Sequence, residues 1–363
     1  MRECNLTKKS INIFLLIYFT IVILLLYTTP FSYSEADILF SNRLDIDSFL
    51  VQNIYKFTDS VWALRLPFFI IALFALYLYK QILTDYFKKD EYYYNLSVLV
   101  FIITPGIFLS FILVNHATIA IFLTLLFIYG YKKESLILEF ISLVLLLSTH
   151  TAYIVVFYAI AIYSFLEKKY WLTAFSFILI VFATLNESYG VEGIPKGHLL
   201  QLIGIYAAIF SPLLFLAIVF ALYKIAADGK QDIIWYISGV SFLVSLVLAI
   251  RQKIKVTDFS PYLTIAIPLV IYIFKKSAQI RLYEFRGIYY KICKIVIIVL
   301  LLETLTIVFH YPLYLLSPDS KWLFDRTIYK IAKDANSSKN RCYKVISNKE
   351  KNLLRYYGIK KCN

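Results

Sequence analysis

Two carboxylates, Glu35 and Asp37 in the segment Tyr33-Ser-Glu-Ala-Asp37, stand two residues apart. In extended backbone both side chains face one way, whereas in a helix they diverge. A carboxylate here can deprotonate an acceptor hydroxyl or hold a divalent cation, or it is simply a solvated loop acid. Arg65, in Trp62-Ala-Leu-Arg-Leu-Pro67, either pairs with an acid of the preceding loop or clamps a phosphate. Arg251, Lys253 and Lys255 alternate with Gln252 and Ile254 ahead of Asp258. Such a basic stretch suits a phosphate at the membrane surface, or equally anionic lipid headgroups. His198 follows Lys196 in a glycine-bearing loop and is a further candidate for contact with substrate. The four histidines fall in four separate segments with no His-x-x-x-His or Cys/His spacing, which argues against a transition-metal site. No Walker loop, dinucleotide fingerprint or serine nucleophile elbow occurs, so nucleotide chemistry has no support.

The elements that must position these groups are apolar. Of 363 residues 60% are hydrophobic and only 17% charged, and the mean hydropathy is +0.72. Soluble domains lie nearer about 45–50% apolar and about 25% charged. The excess sits in long runs such as Ile11 to Thr29, Ile233 to Ile250 and Ile295 to Phe309. A hydrocarbon core about 30 Å thick needs roughly 20 apolar residues of helix. The sequence therefore predicts an all-α polytopic membrane protein of about 11 transmembrane helices with a small α/β C-terminal tail. The spans are expected near 11–29, 61–80, 95–112, 117–131, 136–150, 151–166, 170–187, 200–225, 233–250, 258–274 and 290–310. Residues 1–312 form the transmembrane domain with an outer loop at 30–60, and residues 313–363 form a small extracytoplasmic domain.

Loop charge sets the expected orientation. Eighteen Lys and Arg, from Arg2, Lys8 and Lys9 through Lys132 and Lys133 to Lys291 and Lys294, fall on one side; six fall in loops on the other. The positive-inside rule puts the first set in the cytoplasm. The N-terminus is then inside and the tail outside. The same distribution accounts for the net charge of +14 without nucleic acid as a partner. The partner it implies is the lipid bilayer.

In the tail, Tyr343-Lys-Val-Ile-Ser347 reads as a strand, with helices before it and near Leu353 to Tyr357. Cys342 and Cys362 flank that unit, and in an oxidising compartment they are expected to form a disulfide, stabilising by around 3 kcal/mol in the chain-entropy picture.

The pattern resembles the glycosyltransferase C superfamily, in particular its lipid-linked-sugar branch of protein mannosyltransferases and aminoarabinose transferases. The likeness rests on Ser34-Glu-Ala-Asp37 after the first span, Ala63-Leu-Arg-Leu-Pro67 opening the second, Thr104-Pro105, and the Arg251, Pro261, Pro268 segment. It implies a polyprenyl-phosphate sugar donor, chemistry on the periplasmic face, and Asp37 (or Glu35) as the base or metal-binding acid. Arg65 and the loop from Arg251 to Lys255 would steady the donor phosphate. A divalent cation is the one cofactor the resemblance allows for. Glu-Ala-Asp stands where the family has a paired Asp-Glu, and Asn115-His116 stands where relatives carry an acid. Two other readings follow from the residues. One is a transporter or flippase-like protein for a lipid-linked substrate, using mid-span Glu139 and Glu303. The other is a catalytically inactive relative that assists envelope assembly.

Overall fold

Helix α1 (Lys8–Thr28) is an apolar run of 21 residues without glycine or proline, and it stops where Thr29 precedes Pro30. A computed structural model of the protein describes residues 8–41, 45–88, 90–149, 152–186, 197–310, 312, 326–337, 342–343 and 348–361. Two short helices follow, α2 (Tyr33–Leu39) and α3 (Ile46–Tyr55), and then α4 (Val61–Tyr86). Ahead of Pro105 the chain bends by 64° between α5 (Glu91–Ile103) and α6 (Pro105–Ile112). Helices α7 (His116–Lys132), α8 (Leu136–Leu146), α9 (Ile154–Leu166) and α10 (Tyr170–Asn186) come next. A second break, of 106° at Ser211-Pro212, separates α11 (Leu199–Phe210) from α12 (Pro212–Asp228). After α13 (Ile233–Arg251), α14 (Val256–Thr264) meets α15 (Ile267–Ile280) at 47°, and α16 (Tyr283–Val308) runs back across the bundle.

The chain is a multi-pass helical membrane protein by length and composition. Among the described residues three helices, α1, α4 and α13, are long and apolar enough to cross a membrane, and the count rises to six if each bent pair is one span. This corrects the expectation of about eleven. Helices α7 to α10 are apolar but only 11 to 17 residues long, which at 1.5 Å per residue falls short of about 30 Å. Helix α16 has 26 residues, but Arg286, Lys291 and Lys294 interrupt its first half. Large side chains such as Leu16, Leu24, Phe177 and Val247 lie exposed along these helices, as a lipid-facing belt requires.

Hydrogen bonds define two ends of the bundle. At one, Val114 N–H donates to Glu35 at 3.0 Å. There too Ile46 N–H bonds Ser148 O, Ala152 N–H bonds Asp258 O, and His198 N–H bonds Ala249 O. This is the α2 end. At the other, the lysine end, Lys132 pairs with Asp85, Lys275 with Asp90, and Lys276 with Asp228 at 2.6 Å. Tyr86 also donates to Asp232 there. Burial pushes Asp232, the cap of α13, up to about 6.

Inside, hydroxyls bond their own helices, as Thr124 to Ala120 O and Ser142 to Leu138 O, since lipid offers no alternative. The break before Pro105 is sealed by two donors: Tyr18 reaches Ile102 O at 2.9 Å, and Thr304 reaches Ile103 O at 2.7 Å. Helices α7 and α8 touch closely at Gly130, where an added Cβ would stand 2.8 Å from Leu138 Cβ and 3.2 Å from Glu139 N. Gly130→Ala should therefore lower stability by about 1–3 kcal/mol, read as a depressed unfolding temperature in detergent; an unchanged temperature would mean the two helices separate freely.

The tail corrects another expectation. Its described residues form helices α17 (Arg326–Ser337) and α18 (Asn348–Tyr356), the second flanked by one parallel pairing of Cys342–Tyr343 with Lys360–Lys361. Strands of two residues present no apolar face, so among the described residues the tail is helical and not an α/β unit. Cys362 and the Cys342 side chain lie outside the described residues, and so does the predicted bond between them.

Candidate active site at the α2 end

Ser32 and Glu35 form a reciprocal cap that starts α2: Glu35 N–H donates to Ser32 Oγ at 3.4 Å, and Ser32 N–H to Glu35 Oε2 at 2.8 Å. Because the segment is helical, Glu35 and Asp37 point apart. Glu35 turns inward and Asp37 outward.

Glu35 meets Arg65, both with 0% side-chain exposure. Arg65 Nε donates to Oε1 at 2.7 Å and Nη2 to Oε2 at 2.8 Å. The remaining guanidinium N–H groups go to Thr29 Oγ1 at 2.6 Å, Thr29 O at 2.9 Å, Pro30 O at 3.0 Å and Leu26 O at 3.2 Å. A guanidinium has five donors, and these contacts occupy them all. Of the two roles open to Arg65, pairing within the fold is the one the geometry supports. It leaves no N–H for a donor phosphate. Glu35 likewise accepts from Arg65, Ser32 and Val114, and is a structural acid.

Asp37 is exposed. Its Oδ1 accepts from Asn352 Nδ2 of α18 at 3.2 Å, so the tail helix borders the carboxylate. That helix is held over α2 by Tyr356, which donates to Asp59 O at 2.7 Å and stacks on Phe31 at 4.1 Å. Tyr357 accepts from Phe31 N–H at 3.0 Å, and Arg355 lies over the Phe40 ring. Burial raises the pKa of both tyrosines, which keeps them protonated.

A second carboxylate emerges that no sequence motif singles out. Asp47, fully buried on α3, meets His116 at the start of α7, Oδ2 to Nδ1 2.5 Å. Its Oδ1 has no hydrogen-bond partner. The imidazole remains 22% exposed. Asn115, which stands where the family would carry an acid, caps α7 by accepting from Ala117 N–H at 3.1 Å. The only signal in the sequence was a histidine in the turn, since 69 positions separate the pair.

Arg251, Lys253 and Lys255 are all exposed, at the end of α13 and in the link to α14. His198, partly exposed, is tied by its backbone to Ala249 at 3.0 Å, which brings it to the same end. Lys196 lies outside the described residues. Asp37, His198 and the three cations thus share one end of the bundle, while Arg65 lies beneath it. Among the described residues no three His, Cys, Asp or Glu side chains assemble to hold a metal ion. Asp37 has lost its neighbour Glu35 to Arg65, so a divalent cation would find one carboxylate there and no chelating pair.

Comparison with family models, with curated proteins and with solved structures gave no match.

Proposed function

We propose that the chain is a membrane glycosyltransferase that moves a sugar from a polyprenyl-phosphate donor to an envelope acceptor at its α2 end. The observation that carries this reading is an outward carboxylate, Asp37, on a helix locked from below by Glu35 and Arg65, at the end that also bears Arg251, Lys253 and Lys255. Rigid support of this kind holds a reacting group in place without rearrangement during the reaction. Asp37 accepts the proton of the acceptor hydroxyl as its oxygen bonds the anomeric carbon. The bond from that carbon to the phosphate oxygen breaks, and the lipid phosphate leaves with the electron pair. Fixed positive charge from Arg251, Lys253 and Lys255 stabilises that leaving group. The lysine end carries most of the loop cations, which argues that it faces the cytoplasm and the α2 end the periplasm of a bacterial inner membrane.

The test is transfer in proteoliposomes supplied with polyprenyl-phosphate mannose or polyprenyl-phosphate aminoarabinose. Replacing Arg251, Lys253 and Lys255 together by alanine should raise KM for the donor by about tenfold or more, near 1.4 kcal/mol, and flatten its dependence on salt. The proposal fails if the native protein transfers neither sugar, or if the triple variant binds donor as well as the native chain.

A further inference from the structure

The two sharp helix breaks differ in how their polar groups are met. At Thr104-Pro105 hydroxyls from Tyr18 and Thr304 donate to the freed carbonyls. At Ser211-Pro212 the chain turns through 106°, with Ser211 at φ +74. Pro212 has no N–H to give, and no cap hydrogen bond closes the end of α11. The last carbonyls of a helix carry its negative partial charge, equivalent to about half an elementary charge.

Facing this end is an acid. Glu303 on α16 reaches the Ser211 hydroxyl closely enough to interact with it. Even so, Ser211 Oγ and Glu303 Oε2 are buried without a well-formed hydrogen bond, and Ser211 is 0% exposed. The neighbouring residue, Thr304, is bonded to Ile103, and Gly106 lies against Ile209, one added Cβ away from a 2.7 Å clash with Ile209 Cγ2 and 3.3 Å from its carbonyl oxygen. Both breaks and the carboxylate therefore meet in one place between the two ends. Among the described residues no Lys, Arg or His forms an ion pair with Glu303. A carboxylate, a hydroxyl and a helix C-terminus all draw positive charge, and either a proton or a bound cation can supply it.

We infer that Glu303, Ser211 and the carbonyl end of α11 form a binding site for a small monovalent metal cation, Na⁺ in the first instance. The ligand set is all oxygen, which suits a hard cation. It contains one carboxylate, which balances a single positive charge, whereas a divalent ion draws several carboxylates or waters. Unwound helix ends that offer carbonyls beside an intramembrane acid are the arrangement by which helical membrane proteins hold alkali cations. The inference is independent of the transferase reading, because it concerns a separate site and needs no sugar donor.

The test measures unfolding temperature of the purified protein in detergent at constant ionic strength, exchanging choline chloride for NaCl. Sodium at about a hundredfold over its dissociation constant should raise the midpoint by about 3–6 °C, saturably. Glu303→Gln should abolish the shift. Ser211→Ala, which removes a hydroxyl that makes no well-formed bond, should fold normally and move the sodium midpoint several-fold higher. Carbodiimide labelling of Glu303 gives the second readout, since the reagent attacks a protonated buried carboxyl and bound sodium should block it. A choline-to-sodium shift retained in Glu303→Gln, or labelling indifferent to sodium, overturns the site.

Discussion

Replacing Arg65 with methionine should lower stability by about 3–5 kcal/mol, the largest effect expected of any single substitution at the α2 end. Methionine fills similar volume, so the loss arises from Glu35, left as a buried carboxylate with no cation. Four further acceptors on α1 and its exit, Leu26 O, Thr29 O, Thr29 Oγ1 and Pro30 O, would lose the donor they share. Glu35→Leu strands the guanidinium in the same way. The double variant Glu35→Leu/Arg65→Met should be less destabilised than either single one, because an apolar pair of matching size strands no charge. Unfolding temperature and the yield of monodisperse protein in detergent read all three. If either single substitution moved stability by less than about 1 kcal/mol, the pair would have to be hydrated in solution, and α2 would lose its support.

Asp37→Asn should lower the rate of sugar transfer by about 10²–10⁴, the range ascribed to a positioned general base, while leaving the fold intact. Asparagine keeps the length of the side chain, and its carbonyl can still accept from Asn352. It cannot take a proton from an attacking hydroxyl. Glu35 offers no rescue, being turned inward and saturated by Arg65, Ser32 and Val114. A residue that acted only by positioning would change KM and kcat together, so the decisive signature is a fall in kcat with donor KM preserved. Transfer at more than about a tenth of the native rate would remove Asp37 from the chemistry, and the Asp47–His116 pair, whose imidazole is partly exposed, would be the next group to substitute.

The helical class and most helix positions were legible in the composition and the apolar runs, because lipid leaves a spanning chain little choice but to bond within itself. The number of spans was not. Four runs between 117 and 187 give helices too short to cross, α16 carries charge in its first half, and the runs 95–112 and 200–225, which read as continuous, break at Thr104-Pro105 and Ser211-Pro212. The dipeptides were visible, and proline restricts the residue before it, but hydropathy averaged over the run concealed the bend. At the site, pairing of Arg65 with a loop acid was one of two options the residues allowed. Which acid it chose depended on α2 being helical, which separates Glu35 from Asp37 by direction. The pairing of Asp47 with His116 is a contact between distant segments, set by how α3 lies on α7, and no local pattern encodes it.

The contact of α18 with α2 joins positions 326 apart along the chain, Phe31 N–H to the Tyr357 hydroxyl. A ribosome adds roughly 5–20 residues per second, so Phe31 waits roughly 15–65 s after synthesis for the aromatic cover that Tyr356 and Tyr357 provide. Throughout that interval the earliest-made surface stands ready for a chaperone or a protease, and the order of translation, more than the strength of any one bond, governs when it is closed.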